Sequence, residues 1–306
     1  MAGGSPTRRV RLDEFLLLLP PLLVTVFLMA AFPPSLSAQA GGSSDWTAPR
    51  WVGDVAFVST NALLGGLTAG VMRRLDGGEF RDGFASGALG GATTYAGRRV
   101  AVARFDGAGL LGRQVSGVGA SMVRNAGEGD GILDKIVFPL GPVRLHVDRT
   151  REFRVQPRVS LHDLAWTVGF ALRSGTEFDA SASLSAGAPV FRSPLRRFRG
   201  PDGEGTDGVA VAGVIGLSDV PEERLRTVFP HERVHVLQND FAFLVWSDPA
   251  ESRLLSRHRW GEALYRWVDV GVTFPALRGG LYRAFDVEHG DQWAEIEAKF
   301  LDRGTR

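Results

Sequence analysis

The stretch Phe229-Pro230-His231-Glu232-Arg233-Val234-His235-Val236-Leu237-Gln238 holds two histidines four residues apart, with a glutamate beside the first. On a helix, residues i and i+4 stand one above the other on the same face. His231 and His235 then present two imidazoles to one point, where they can hold a single Zn²⁺. Glu232 is placed to serve as general base toward a water on that metal. The flanking sequence favours a helix. Asp219-Val220-Pro221-Glu222 reads as a capping box with Pro in the first turn. Pro230 is expected to interrupt this helix, with Thr227 capping a new one in which Pro230 falls in the tolerated first turn. Phe229, Val236, Leu237, Phe241, Leu244 and Val245 supply an apolar face. Further helices are expected at about 251–269 and 291–302.

Upstream, from about Ile132, the hydrophobic period is two. Val143, Leu145 and Val147 alternate with Arg144, His146 and Asp148, and Phe178, Ala180, Ala182 and Leu184 alternate with Glu177, Asp179, Ser181 and Ser183. Both read as half-buried strands with one wet face. Phe153–Val159 reads as a strand that Pro157 confines to an edge or a bulge. Val209–Leu217 is a run of small apolar residues, as in a strand covered on both faces. Ser193–Gly208, rich in Pro, Gly, Arg and Asp without a period, reads as a loop. Strands over 132–217 followed by helices over 221–302 make an α+β unit, 131–306, around a central antiparallel sheet.

Residues 41–130 differ in composition. Val55–Met72 and Gly83–Gly97 carry no charge, and Gly66-x-x-x-Gly70 and Gly83-x-x-x-Gly87 put small residues on one helical face. Asp76-Gly77-Gly78 makes a turn between them. The expectation is a Gly-rich helical hairpin, then a helix around Leu110–Asn125. Asn61, Thr68, Thr93 and Thr94 dilute the hydrophobicity, and the second uncharged stretch, 15 residues, is short for a bilayer span. Tight packing of the helices on each other is therefore preferred to membrane insertion through residues 55–97.

Arg8, Arg9 and Arg11 precede an apolar run from Phe15 to Phe32, which Pro33-Pro34 end and Ser35-Leu-Ser-Ala-Gln-Ala40 follows. These are the parts of a secretory signal with a cut after Ala40. An uncleaved anchor through residues 15–32 is the other reading. Either way residues 1–40 direct the remainder out of the cytoplasm, to a periplasmic, secreted or membrane-anchored location.

Composition bounds the chemistry. The 306 residues are 44% hydrophobic and 23% charged, which excludes wholesale disorder. With 35 basic against 34 acidic residues there is no basic surplus to draw nucleic acid. The absence of Cys excludes disulfides, thiolate metal sites and a catalytic thiol, so a metal must use carboxylates and the six histidines. No G-x-S-x-G elbow and no P-loop G-K-[ST] occurs.

The H-E-x-x-H segment resembles that of the zincins, specifically gluzincin-like zinc metallopeptidases. In that group the third ligand is a Glu on a later helix, within E-x-x-x-D or R-E-x-x-A-D. Trp293-Ala294-Glu295-Ile296-Glu297-Ala298-Lys299 lies 60 residues beyond His235. The resemblance puts Glu295 in the ligand's place and Ala298 in that of the family's Ala, with Glu297 as the alternative ligand. Lys299 stands where an Asp would support a ligand histidine. Gln238 extends the motif to H-E-x-x-H-x-x-Q, which occurs in several zincin-like families, some without peptidase activity. The resemblance also implies a sheet before the active-site helix, its edge strand lining the cleft. The implied function is an exported zinc hydrolase, His231, His235 and Glu295 holding Zn²⁺ and Glu232 acting as base on a peptide or protein substrate. The alternative is a non-catalytic envelope protein whose zinc site is structural, closed by His258 or His289, and whose Gly-rich hairpin is the interacting part. Tyr265 and Tyr282 are weaker candidates for stabilising an oxyanion.

Overall fold

The computed structural model describes residues 49–150, 152–194, 197–199, 205–271 and 293–303. The expected signal segment, Tyr282 and His289 lie outside the described residues. The fold is α+β.

Three glycine-rich helices come first: α1 (Arg50–Leu75), α2 (Phe80–Ala101) and α3 (Ala108–Glu128). Gly91 of α2 lies against Asn61 of α1 and Gly83 against Ala69, so the two run antiparallel. Glycine is what lets them approach. A Cβ at Gly91 would stand 2.0 Å from the Asn61 carbonyl oxygen, and one at Gly87 2.5 Å from that of Gly65. The same holds between α2 and α3, where a Cβ at Gly97 would stand 2.4 Å from the Ser116 nitrogen. Helix α1 is long and apolar enough to cross a membrane, yet half of its apolar window is buried inside the protein.

The strands fall into two four-stranded sheets rather than one antiparallel sheet. The first, in the order β1-β2-β3-β10, joins β1 (Lys135–Leu140), β2 (Val143–Asp148), β3 (Arg154–Ser160) and β10 (Val268–Asp269). The second, in the order β4-β5-β9-β8, joins β4 (Glu177–Phe178), β5 (Val190–Arg192), β9 (Val214–Leu217) and β8 (Gly208–Val211). Each is mixed, because β3–β10 and β5–β9 are parallel pairs. Pro157 pairs across to Leu145, and β10 reaches only Val159 and Ser160, so the proline sits on an open strand side as expected.

Several sequence expectations give way to tertiary context. Val209–Leu217 is a hairpin, not one strand, and reverses at Ala212-Gly213 with Ala212 at φ 54°. Long-range bonds hold that turn: the Asn239 amide donates to the Ala212 carbonyl at 3.0 Å and Gly213 N–H to Asp163 at 3.1 Å. The stretch expected to be a strand at Phe178–Leu184 breaks after Phe178 into helix α5 (Ala180–Ala186), which follows α4 (Leu161–Leu172). Asp179 caps it by accepting from Ala182 N–H, and Gly187 ends it at φ 66°, so local capping wins over the period of two. Within Ser193–Gly208, β6 (Phe198–Arg199) and β7 (Gly205–Thr206) pair.

Helix α6 (Glu222–Ala242) runs through Pro230 without a break, and its cap residue is Pro221, with no side-chain capping bond from Asp219. Proline inside a helix costs about 3 kcal/mol. Leu225, Val234, Val236 and Leu237 are all buried along α6, and each such burial contributes about 1.5–3 kcal/mol. Tertiary packing therefore outweighs the proline. A π-helical turn, Phe243–Ser247, leads into α7 (Asp248–Leu255). The expected helix at 251–269 is split among α7, α8 (Arg259–Tyr265) and β10. The last helix, α9 (Trp293–Arg303), stands where it was expected and packs on α6 through Val234, Ala298 and Leu301.

Asp269 is fully buried between His146 Nε2 at 3.2 Å, Arg158 Nη1 at 3.4 Å and Arg144 Nη1 at 3.9 Å. Burial alone would raise its carboxyl, but the hydrogen bond and charge of His146, then Arg144 and Arg158, hold it below the usual carboxylate range. A depressed folded pKa gives stability that is present above the unfolded value of about 3.9 and lost as pH falls through the folded value. The difference in unfolding free energy between wild type and Asp269→Asn is thus expected to be full above about pH 5 and to close below about pH 4. Denaturant titrations across that range check it, and an equal difference at both ends would show that the carboxylate's charge contributes nothing.

Candidate metal centre

The i, i+4 spacing on α6 brings the His231 and His235 rings together, with their Nε2 atoms 3.0 Å apart. Helix α9 delivers the third group. Glu295 Oε1 lies 3.1 Å from His235 Nε2, and Oε2 lies 3.4 Å from His231 Nε2. One ligand atom from each of the three lies within 4.8 Å of the others, so the group can hold a metal ion. The fit is geometric as well as chemical. Ligands about 2.0–2.1 Å from a tetrahedral metal are themselves separated by about 3.3 Å, close to the separations found here. Both histidines are partly buried and Glu295 is buried.

The orientation of His235 is set by a relay. Gln238, one turn further along α6, donates from Nε2 to the Ala294 carbonyl at 3.0 Å and to Glu297 Oε2 at 2.9 Å. With its amide nitrogen so committed, its Oε1 faces His235 Nδ1 at 2.8 Å. An amide oxygen only accepts, so Nδ1 carries a proton and Nε2, once unprotonated, is the nitrogen that could offer a lone pair to a metal. Lys299, where the gluzincin pattern has a supporting Asp, is exposed. Gln238 does the orienting instead.

Glu297 is not in the ligand group. It is fully buried and accepts from Gln238, from Asn61 Nδ2 at 2.8 Å and from Arg98 Nη1 at 2.7 Å. Arg98 also donates to Asn61 Oδ1 at 2.8 Å. The glycine-rich helices thus supply the outermost support of the site, α1 through Asn61 and α2 through Arg98. The residue that sequence reading counted as diluting an apolar stretch, Asn61, is a structural partner of Glu297. An Asn inside an otherwise apolar helical run, and an Arg directly after an uncharged one, are the signals that could have pointed to it, since polar groups buried there need partners.

Glu232 is buried at 6% exposure and packs on β8, where a Cβ at Gly208 would stand 2.9 Å from its Cγ and Oε1. Glycine at 208 therefore leaves the room this carboxylate occupies. For His235, burial disfavours the charged ring, but the hydrogen bond and charge of Glu295, with Glu232 and Gln238, outweigh it and raise the pKa above the usual histidine value. A metal must displace that proton, so acid competes with metal here. Of the other candidates, His258 stacks on Trp260 and Tyr265 bonds to Asp248, both apart from this group. No protein-family model matches the chain, and no curated protein or solved structure matches it significantly.

Proposed function

We propose that this protein is an exported zinc-dependent hydrolase, a zincin-like metallopeptidase acting on peptide or protein substrates outside the cytoplasm. The observation that carries the reading is the convergence of His231, His235 and Glu295, with Glu232 next to the first histidine on the same helix. Two imidazoles and one carboxylate suit Zn²⁺ and leave a fourth position for water or substrate. When bound, Zn²⁺ supplies Lewis-acid polarisation of a carbonyl and a lowered pKa for water. Glu232 takes the proton of the attacking water and delivers it to the leaving amine. Gln238 keeps His235 in the tautomer that leaves Nε2 unprotonated, and Glu297 keeps Gln238 in place. Strand β8, last in the order of its sheet and packed against Glu232, is suited to pair with an extended peptide.

Glu232→Gln is the test. The amide preserves size but cannot accept the proton, so zinc content should stay at wild-type level while hydrolysis of an unfolded-protein and peptide panel falls by at least about a hundredfold. Zinc-loaded wild type that is inert across the panel would move the site to a structural role.

A further inference from the structure

The face of α6 opposite the metal ligands carries Arg233, which is 8% exposed. Its Nη2 donates to Ser185 Oγ at 2.9 Å and its Nη1 to the Ala101 carbonyl at 3.3 Å, and the guanidinium lies 4.0 Å from the Phe229 ring centroid. Its Nε is buried with no hydrogen-bond partner. All of these partners are neutral. The other deeply buried arginines are treated differently: Arg98, Arg113 and Arg144 each meet a buried carboxylate at 2.6–2.8 Å. Among the described residues Arg233 has no such counter-charge, and a buried cation left without one is costly.

Arg233 lines a pocket of about 480 Å³ together with Arg104, Arg192 and Arg226. Arg192 is held by Asp179 at 2.7 Å, whereas Arg104 and Arg226 are exposed and make no ion pair among the described residues. Asp106 and Glu222 also line the pocket, both exposed, so with Arg192 set aside as already paired, cations outnumber carboxylates three to two. The volume is within the range of small-molecule sites and far exceeds that of a bare ion. Phe105, 49% exposed, and Phe229 give the pocket aromatic walls. Guanidinium groups match oxyanions with two parallel N–H bonds, and aromatic walls suit a planar or apolar body.

We propose that this pocket binds a small organic oxyanion, its phosphate or carboxylate head on Arg233, Arg226 and Arg104 and its apolar body against Phe105 and Phe229. The site is separate from the metal centre and does not depend on the peptidase reading. The test uses the metal-free full chain, so that no anion is read through a metal, at ionic strength held constant with chloride. Phenyl phosphate and benzoate are titrated calorimetrically and by thermal shift, with neutral benzyl alcohol as control. At least one of the two anions should bind saturably at one per chain and raise Tm, and benzyl alcohol should not; which anion binds tighter identifies the head group. Arg233→Gln should abolish binding, and the exposed double variant Arg104→Gln/Arg226→Gln should weaken it by about tenfold or more. Should Arg233→Gln fail to fold, the double variant decides. No saturable binding of either anion, or unchanged affinity in the double variant, overturns the proposal.

Discussion

Alanine at His231, or at His235, is expected to take bound zinc from about one per chain to a trace. The two imidazoles and Glu295 are the group that could hold a metal ion among the described residues, and removing one would leave two protein ligands, too few for useful affinity. The fold should survive either change in the metal-free protein, because both rings are partly exposed and their contacts are chiefly with each other, Glu295 and Gln238. Metal analysis after dialysis against a weak chelator measures the first effect, and denaturant titration of the metal-free proteins the second. Glu295→Ala should behave in the same way. Stoichiometric zinc retained by the His231→Ala/His235→Ala double variant would place the metal elsewhere.

Glu297→Ala should do the opposite and strike stability first. Its carboxylate is the counter-charge of Arg98, whose side chain is 5% exposed, and it accepts from Asn61 and Gln238 as well. Removing one partner of a buried ion pair costs about 3–5 kcal/mol, because the remaining charge is left uncompensated. Replacing both partners together, as in Arg98→Met/Glu297→Leu, should cost much less, since an apolar pair of similar size needs no counter-charge. Freed from Glu297, Gln238 no longer has to present its oxygen to His235, and zinc affinity should fall by about 10–100-fold rather than vanish. Urea unfolding of the metal-free variant and competition with a zinc chelator separate the two effects. A Glu297→Ala protein as stable as wild type but devoid of zinc would make Glu297 the ligand and Glu295 the bystander.

These two glutamates show where sequence reading stops. They are two positions apart on one helix, so they point in different directions, and periodicity places Glu297 nearer the apolar side of α9. Similarity to the gluzincin pattern favours Glu295 as ligand, and the structure puts Glu295 beside the histidines. Periodicity does not settle the choice, for both are buried, Glu295 at 7% and Glu297 fully; nor does it say why a carboxylate should stand at 297. The reason is Arg98, 199 positions away. Lys299 is a similar case. It stands where the gluzincin pattern has an Asp that supports a ligand histidine, and here Gln238, three residues from His235, orients that ring instead.

Local spacing along the chain was enough for whatever one helix or one turn can settle by itself. The pairing of His231 with His235, the hairpin of α1 and α2 around Asp76-Gly77-Gly78, the third glycine-rich helix and α9 all follow from the 3.6-residue repeat and from where glycine permits close approach. Elements whose form depends on distant partners were not legible. Helix α6 continues through Pro230 because the core on both sides of it is worth more than the lost hydrogen bond. The chain turns at Ala212-Gly213 because Asn239 and Asp163 hold the turn's backbone. The support of the candidate metal centre depends on Asn61 meeting Glu297 across 236 positions. A buried polar group must find a partner, but nothing in its own neighbourhood along the chain says which one; only the packed structure brings the two together.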